Sequence, residues 1–431
     1  MSRVQSPGLR RELGVFGAMM MGLGSIVGTG VFVSIGFAAE VAGSSVLLAI
    51  VFASLVAMCN GLSSAQLAAN HPVSGGTYEY GYKWLSPRLG FTAGWMFMCA
   101  KSASAATAAL GFAGYLLNTI GYDQNEYRLS VALIALCALT VVALTGIQRT
   151  SRANILIVVV TLCSLMFFVL AGMPWVAAPA DEKPLKFFQE SGDGFGLLQA
   201  TALMFVAYTG YGRIATLGEE VREPRRTIPL AVICTLAVSM CLYFSVAYIA
   251  LAVVGAETYG ELTRNQVAPL QAIAEKFPVS GASLILAIGA MTSMLGVLLN
   301  LLLGLSRVLF AMARRGDMPH GLSAVSAETG IPWSATLVVS AIIGGLVLFS
   351  DVRVTWSFSA FTVLIYYALT NICALRLAPQ ERLFPIWPAW CGLGACLFLA
   401  FWVNWGVWLV GLALIGIGLV WHELISRRAK F

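Results

Sequence analysis

The chain has 431 residues, of which 59% are hydrophobic and only 11% are charged, and its formal net charge is +6. Because a soluble domain carries about 25% charged residues, this composition excludes an ordinary soluble protein. The charges lie in short clusters between apolar stretches of about 20 residues, the length that crosses a bilayer as a helix. The basic residues lie beside these stretches, so the positive charge indicates membrane lipids rather than nucleic acid as its partner.

Twelve apolar stretches follow one another along the chain, and they predict an all-α integral membrane protein with about 12 transmembrane helices. We interpret residues 1–431 as one polytopic domain, with its longest outer loops near 176–194 and 255–279. In chain order, the predicted helices cover about 15–40, 43–68, 91–118, 129–147, 154–175, 195–217, 227–254, 280–313, 332–349, 353–376, 384–402 and 404–424.

The distribution of lysine and arginine predicts how these helices are oriented. With the N-terminus placed inside, 17 of the 26 basic residues fall on the inner side and six on the outer side. The remaining three, Lys101, Arg213 and Arg307, lie within or at the ends of predicted helices. Since cytoplasmic loops carry the excess of Lys and Arg, we expect a multi-pass protein of the cell (inner) membrane with both termini in the cytoplasm.

The first predicted helix contains an unusual concentration of glycine. The stretch GLGSIVGTGVF, residues 22–32, has four glycines within nine residues, although each glycine costs a helix interior about 1 kcal/mol relative to alanine. One interpretation is close helix packing, because Gly24 and Gly28 have the small-xxx-small spacing. The other is an unwound segment whose freed N–H groups bind an anionic group beside the N-terminus of a half-helix.

A similar interruption occurs in the sixth predicted helix. The sequence YTGYG, residues 208–212, falls in the middle of this helix. A pair of glycine-interrupted helices in matching positions of two halves indicates a transporter binding site. The pair predicts an inverted five-plus-five repeat, in which repeat one covers about 15–175, repeat two covers about 195–376, and two further helices cover about 384–424.

Five motifs along predicted helices one to nine carry a resemblance to a known family. They are GSIVGTGVFV (24–33), HPVSGGTYEYGYKWLSPRLGFTAGW (71–95), FVAYTGYGRIATLGEEVREPRRTIP (205–229), LSRVLFAMARRGDMP (305–319) and TGIPWSATL (329–337). In this order they resemble the amino acid–polyamine–organocation superfamily of transporters. The resemblance implies the leucine-transporter-type fold, with helices 1 and 6 broken, and transport of amino acids or related amines by alternating access.

The resemblance also implies which residues hold an amino acid. Backbone N–H groups at Thr29 and Gly30 would bind the substrate carboxylate, and Gly28 would permit the bend. Backbone dipoles suit a zwitterion, because both of its charges lose water at the midplane and fixed dipoles replace that water. Carbonyl groups of the two broken helices would bind the substrate ammonium, at the matching positions Ile26, Val27, Phe205, Val206 and Tyr208.

Residues of helices three and six are expected to surround the side chain of the substrate. Ser104 lies in a run of small residues, 102–107, which either leaves room for a substrate side chain or serves tight helix packing. For Tyr208 and Tyr211 we consider two roles, an aromatic gate and a contribution to the core. The expected substrate-binding set is completed by Thr209 and Gly210.

Gly212 bears on the substrate class. Many members of the resembled family have an acidic residue at this position, and the predicted helices contain almost no interior acids. We therefore expect the substrate to be a neutral amino acid. A transporter of cationic amino acids or polyamines is the first alternative, and a non-transporting amino acid sensor of the same fold is the second.

Lys101 is the only lysine inside a predicted helix, about 10 Å into the third one at 1.5 Å per residue. Such a residue costs about 2.5–3.5 kcal/mol on insertion scales, and it marks a functional site or a buried partner. Three roles are open: a coupling or gating charge, a structural lysine bonded to carbonyls, and direct substrate contact. The first role gives proton-coupled transport or exchange, whereas Thr292 and Ser293 keep a sodium site open.

Arg213 and Gly212 complete the expected coupling and gating set. Arg213 follows the second interruption, where it is either a charge paired with Glu219 or Glu220 or a residue that gates or binds an anion. The two glutamates, together with nearby arginines, form either an ion-pair network on the inner side or a solvated loop.

Enzyme chemistry is not predicted. The three histidines, His71, His320 and His422, lie far apart in the sequence, and the chain has no HExxH motif and no nucleotide-binding loop. We expect an amino acid substrate, no cofactor and no metal. The sequence does not define the oligomeric state.

Overall fold

The computed structural model describes an all-helical protein. The described residues are 13–73, 75–122, 124–145, 150–177, 194–216, 221–265, 268–326, 330–349 and 351–428. Within them the helices are α1 (Val15–Ile26), α2 (Ile35–Ala42), α3 (Val46–Asn70), α4 (Thr77–Trp84), α5 (Pro87–Ile120), α6 (Gln124–Leu144), α7 (Thr150–Ala177), α8 (Gly194–Tyr208), α9 (Gly212–Thr216), α10 (Pro224–Val254), α11 (Ala256–Asn265), α12 (Pro269–Ala274), α13 (Ala282–Arg315), α14 (Trp333–Phe349), α15 (Val352–Leu375), α16 (Trp387–Ala400) and α17 (Trp405–Arg428).

Most of these helices are apolar enough to cross a membrane. Among the described residues, eight stretches are long enough as well, and three shorter apolar helices, α1, α14 and α16, accompany them. The all-α membrane architecture expected from the sequence is therefore confirmed. The count of 12 transmembrane helices and the five-plus-five repeat stay predictions.

The α5 helix lies at the centre of the bundle, where it packs against α13 and α15. In its most apolar window 83% of the residues are buried, against 17% in α17, so α17 lies at the lipid-facing edge. The small residues of the run 102–107 allow this central packing, because short side chains let helix backbones approach closely. The start of α5 is fixed by Ser86, whose side chain accepts a hydrogen bond from the Leu89 amide at 3.3 Å.

Two short helices, α11 and α12, occupy the segment near 255–279 that the sequence suggested to be an outer loop. The α11 helix packs against α2, and α12 packs against α13. Sequence periodicity missed α11 because its ten residues mix apolar and charged side chains and are too few to cross a bilayer. The other predicted outer loop, near 176–194, lies almost entirely outside the described residues.

One end of the bundle contains α4, the start of α1 and the end of α17, and we call it the α4 face. The Leu13 carbonyl accepts a hydrogen bond from the Arg222 amide at 2.9 Å, just before α1 begins. The Trp421 indole of α17 donates to the carbonyl of Asp317 at 3.1 Å, and the Asp317 carboxylate accepts a hydrogen bond from the Tyr78 hydroxyl of α4 at 2.7 Å. The first and last described helices therefore meet the same face.

The opposite end contains α11, the end of α2 and the start of α15, and we call it the α11 face. The Glu40 carboxylate of α2 forms ion pairs with Arg264 of α11, at 2.6 Å, and with Arg353 of α15. Gly36 of α2 lies so close to the Thr263 side chain that a Cβ would overlap it. These contacts hold α2 against α11 and α15 at this face of the bundle.

Candidate functional site

The first predicted interruption is a break in the backbone. Helix α1 ends at Ile26, and Val27 has an extended conformation with φ −78° and ψ 99°. The chain then continues into a π-helical turn, Gly30–Ser34, before α2. The next amides to be bonded, those of Val31 and Phe32, both donate to the Gly28 carbonyl. The amides of Thr29 and Gly30 therefore lie at the start of a helical segment, where N–H groups have no partner in the preceding turn.

The glycines at this break are explained by close contact rather than by the bend itself. The extended residue is Val27, and Gly28 and Gly30 do not have positive φ. A Cβ at Gly28 would lie 2.6 Å from a methyl group of Val297, and a Cβ at Gly30 would lie 2.7 Å from the Cβ of Ala207. The unwound segment and the tight helix packing considered for this motif thus occur together.

The second interruption is milder. Between α8 and α9 the chain forms one 3₁₀ turn, Thr209–Tyr211, and the residues on both sides keep right-handed helical angles. Gly210 lies against the first break, because a Cβ there would overlap the Ser25 carbonyl and lie 2.6 Å from the Ile26 amide nitrogen. The two breaks therefore cross in direct backbone contact.

Several of the carbonyl groups expected to hold the substrate ammonium accept hydrogen bonds from protein hydroxyls. The Tyr243 hydroxyl of α10 lies between both breaks, 2.8 Å from the Ile26 carbonyl and 3.2 Å from the Ala207 carbonyl. The Ser293 hydroxyl of α13 donates to the Val27 carbonyl. A carbonyl oxygen has two lone pairs, so each of these groups keeps capacity for a second donor.

Lys101 is joined to the second break by two consecutive hydrogen bonds. Its side chain is buried in α5, with 7% exposure, and its Nζ donates to the Thr209 hydroxyl at 2.8 Å. The Thr209 hydroxyl donates in turn to the Val206 carbonyl at 2.7 Å. The backbone of the same turn is held from α15, where the Tyr367 hydroxyl donates to the Thr209 carbonyl at 3.1 Å.

A small cavity of about 30 Å³ lies between the two breaks, and we call it the central cavity. It has room for about two water molecules, so an amino acid can enter only if the surrounding helices or side chains move. The expected residues that line it are Ile26, Thr29, Gly30, Lys101, Ser104, Val206, Thr209 and Gly210. The lining residues that sequence reasoning did not single out are Ser25, Ala207, Val297, Leu301 and Trp356.

A second cavity, of about 60 Å³, adjoins the central cavity, and we call it the vestibule. The two cavities share Lys101 and Thr209, and the vestibule extends to Gly75, immediately before α4, and to Thr216 at the end of α9. It therefore leads from the central cavity toward the α4 face. Gly212, Arg213 and Arg307 also line it, and no acidic residue occurs among the described residues that line either cavity.

The remaining expected residues lie outside the linings of both cavities. Phe205 and Tyr211 are fully buried against Tyr367, with ring centroids 5.7 and 5.3 Å apart. Tyr208 packs against Tyr243 at 5.1 Å, and its hydroxyl donates to a carbonyl of α3 at 3.3 Å. In this conformation the aromatic side chains of the second break belong to the core. Val27 and Gly28 likewise lie outside both linings.

Two functional candidates were missed for different reasons. Tyr243 lies in an ordinary apolar helix, and no local pattern marks a tyrosine whose hydroxyl reaches a carbonyl 217 residues away. Trp356 lines the central cavity, and its indole N–H donates to the Leu203 carbonyl at 3.1 Å. A polar aromatic residue in an apolar helix is a weak signal. The expected network around Glu219 and Glu220 lies outside the described residues.

Comparison with known proteins finds similar sequences along nearly the whole chain. The sequence model named Amino acid permease matches residues 17–423. An uncharacterized transporter of Mycobacterium tuberculosis is 39% identical over 98% of this chain and 93% of its own length. The branched-chain amino acid permease of Bacillus subtilis is 28% identical over 97% and 94% of the two chains. The vacuolar cationic amino acid transporter 4 of Arabidopsis thaliana is 25% identical over 86% and 63%.

The matched region includes both breaks, the central cavity and the vestibule. The family and these relatives are transporters and not enzymes, which agrees with the absence of catalytic motifs noted in the sequence. The chain belongs to the amino acid permease family, within the amino acid–polyamine–organocation superfamily of transporters.

Proposed function

We propose that the protein is a secondary active transporter that moves neutral amino acids across the cytoplasmic membrane by alternating access. The observation that carries this proposal is the central cavity between the two broken helices. Its lining combines backbone groups of both breaks with a lysine and, among the described residues, contains no carboxylate. A cationic side chain would meet Lys101 and, among the described lining residues, no acidic group to bind it, so the cavity favours zwitterions over arginine, lysine or polyamines.

The proposed binding mode uses the backbone for both charges of the substrate. The amides of Thr29 and Gly30, at the start of the second half of the broken helix, bind the carboxylate. The carbonyls of Ile26 and Val206, which line the same cavity, bind the ammonium. Because the cavity must widen to admit an amino acid, binding is linked to a movement of the helices.

Lys101 is the proposed coupling residue, with Arg213 and Gly212 as gating residues in the vestibule. All three line the path between the central cavity and the α4 face. Leu13 and Trp421 also lie on this face, and the excess of basic residues favours a cytoplasmic position for it. At the α11 face, Glu40 and its arginine partners hold α2 against α11 and α15.

The test is uptake into proteoliposomes that contain the purified protein. Accumulation of radiolabelled neutral amino acids, with weak competition by arginine and putrescine, is the expected result. Stronger competition by the two cations would reverse the substrate class and favour a cationic transporter, as the name of the Arabidopsis relative has it. Binding of an amino acid without flux would instead identify a sensor of the same fold.

A further inference from the structure

We infer that a proton on Lys101 and the ammonium group of a bound substrate exclude one another, so that the protein exchanges an amino acid for a proton. The inference rests on the proposed function and deepens it by giving the coupling a direction. Its basis is the hydrogen-bond chain from Lys101 through Thr209 to the second break, together with the charges that surround the two cavities.

The direction of the hydrogen bonds in this chain is fixed by the Thr209 hydroxyl, which has a single proton. Thr209 donates that proton to the Val206 carbonyl at 2.7 Å, so it meets Lys101 through a lone pair and Lys101 is the donor, at 2.8 Å. The Val206 carbonyl is one of the groups proposed to hold the substrate ammonium. A charged Lys101 would therefore lie two hydrogen bonds from the carbonyl that holds the ammonium, and three from the ammonium itself.

Among the described residues that line the two cavities, the charged neighbours of Lys101 are positive. Arg213 from α9 and Arg307 from α13 line the vestibule beside it, and Tyr367 from α15 is the other titratable group of that lining. Helix α1 contributes Ser25 to both cavities and Ile26, Thr29 and Gly30 to the central one, together with the turn that follows it. Among the described residues, no carboxylate lines either cavity, and like charges at this separation weaken binding on the order of tenfold to a hundredfold.

The exclusion defines the two loaded states of the cycle. When a zwitterion binds, Lys101 releases one proton to water on the open side, and its neutral amine stays beside Thr209. When the substrate leaves on the other side, Lys101 takes up one proton from that side and returns with it. One proton thus crosses for each amino acid in the opposite direction, and the cycle moves one positive charge against the substrate.

Coupling in the opposite sense, with the proton travelling in the same direction as the substrate, has a clear physical basis and is the competing outcome. If the substrate carboxylate lay nearer to Lys101 than the ammonium, binding would stabilise the charged lysine, and the proton would travel with the substrate. The hydrogen bonds favour exclusion, because they connect Lys101 to the carbonyls of the second break. In the described contacts, no hydrogen bond joins Lys101 to the amides of the first break.

The experiment measures proton movement and substrate movement in the same proteoliposomes. The vesicles contain a pH-sensitive dye, and a mixture of radiolabelled neutral L-amino acids is added outside, with the D-amino acids as the control. Exchange predicts that substrate entry makes the lumen more alkaline, and that apparent affinity rises up to tenfold per pH unit while Lys101 is being deprotonated. Acidification of the lumen, or uptake without any pH change, would overturn the inference while leaving the proposed transport intact. Absence of uptake in the wild-type protein would overturn both.

Two substitutions of Lys101 separate its charge from its shape. Lys101→Met is neutral, so we expect substrate exchange that moves no proton and has a pH-independent affinity. Lys101→Arg keeps a charge that cannot be removed, so we expect at least tenfold weaker binding in a protein of unchanged thermal stability. Equal uptake by the two variants would contradict the inference. Lys276→Met, at an exposed position outside both cavities, is the matched control. If the lysine variants do not fold, Thr209→Val tests the hydrogen-bond chain separately, because it removes the hydroxyl that joins Lys101 to the second break.

Discussion

The two broken helices depart from regular helical geometry to different extents. At the first break one residue, Val27, leaves the helical conformation, and the chain restarts as a π-helical turn. At the second break every residue keeps right-handed helical angles, and the helix only tightens into a 3₁₀ turn at Thr209–Tyr211. The first break therefore creates a new helix start after Val27, whereas the second break leaves the helical path continuous.

The difference shows that the number of glycines in a helix does not determine how far that helix is unwound. Gly28 accommodates the side chain of Val297 on α13, whereas Gly210 accommodates the backbone of Ser25 and Ile26. A side chain can rotate away from an added methyl group, but a backbone at a helix end can move only if the helix moves. The milder break is consequently the one with less tolerance for substitution.

The largest effect is expected at Gly210. In Gly210→Ala the new Cβ would overlap the Ser25 carbonyl and approach the Ile26 amide, so the two breaks must separate. We expect transport to fall by about a hundredfold or more and the free energy of unfolding to drop by about 1–3 kcal/mol, as in other overpacked sites. Uptake and thermal unfolding measure the two effects. Gly345→Ala, where no atom lies within 4 Å of the added Cβ, is the control. Equal uptake and equal thermal stability of the two variants would refute the backbone contact between the two breaks.

Tyr243→Phe removes the hydroxyl that lies between the breaks while keeping the aromatic ring. We expect substrate affinity to fall by about five- to a hundredfold, because the hydroxyl holds the two breaks in the geometry that binds substrate, and losing a buried hydrogen bond costs about 1–3 kcal/mol. Binding measured by thermal stabilisation checks this value. The matched control is Tyr259→Phe, because the buried Tyr259 hydroxyl has no hydrogen-bond partner among the described residues. If both variants bind substrate equally, Tyr243 does not hold the breaks together.

A smaller and reversible effect is expected at Gly28. The Cβ of Gly28→Ala would meet a methyl group of Val297 at 2.6 Å, and that side chain can be shortened. We expect uptake to fall by about tenfold, a loss of about 1.4 kcal/mol, and to recover in the double variant with Val297→Ala. No second substitution of this kind can relieve Gly210→Ala, because its clash is with backbone. If Val297→Ala does not restore uptake, the two breaks do not differ in their tolerance for substitution.

The smallest effect is expected at the α11 face, where Glu40 anchors the far end of the first broken helix. Glu40→Gln weakens the ion pairs with Arg264 and Arg353, and exposed pairs of this kind contribute about 0.2–1 kcal/mol each. We expect the balance of conformations to shift toward opening of this face by about two- to fivefold, measured as labelling of a cysteine introduced at Thr263. Arg88→Gln, which removes an exposed pair at the other end of the bundle, should leave the labelling unchanged.

The sequence located the two breaks but did not show which residue leaves the helical conformation. Glycine clusters in two apolar stretches predicted interrupted helices at the correct positions, because helix propensity and hydropathy act locally. Gly28 was expected to permit the bend, and the residue with extended geometry is its neighbour Val27. Extended geometry at a valine has no marker in a single sequence, since the packing of α13 and α10 around the break decides which residue leaves the helix.

By itself, the sequence determined that the protein is an all-helical membrane protein, that its first and sixth apolar helices are interrupted, and that Lys101 is buried among them. Each of these properties depends on hydrophobicity or propensity over a few neighbouring residues. Only the tertiary structure decided which groups meet across the breaks. The Tyr243 hydroxyl reaches a carbonyl 217 residues away, and Lys101 reaches Thr209 across 108 residues. Contacts at such separations are set by how the whole bundle packs, because side-chain hydrogen bonds act only within about 3 Å.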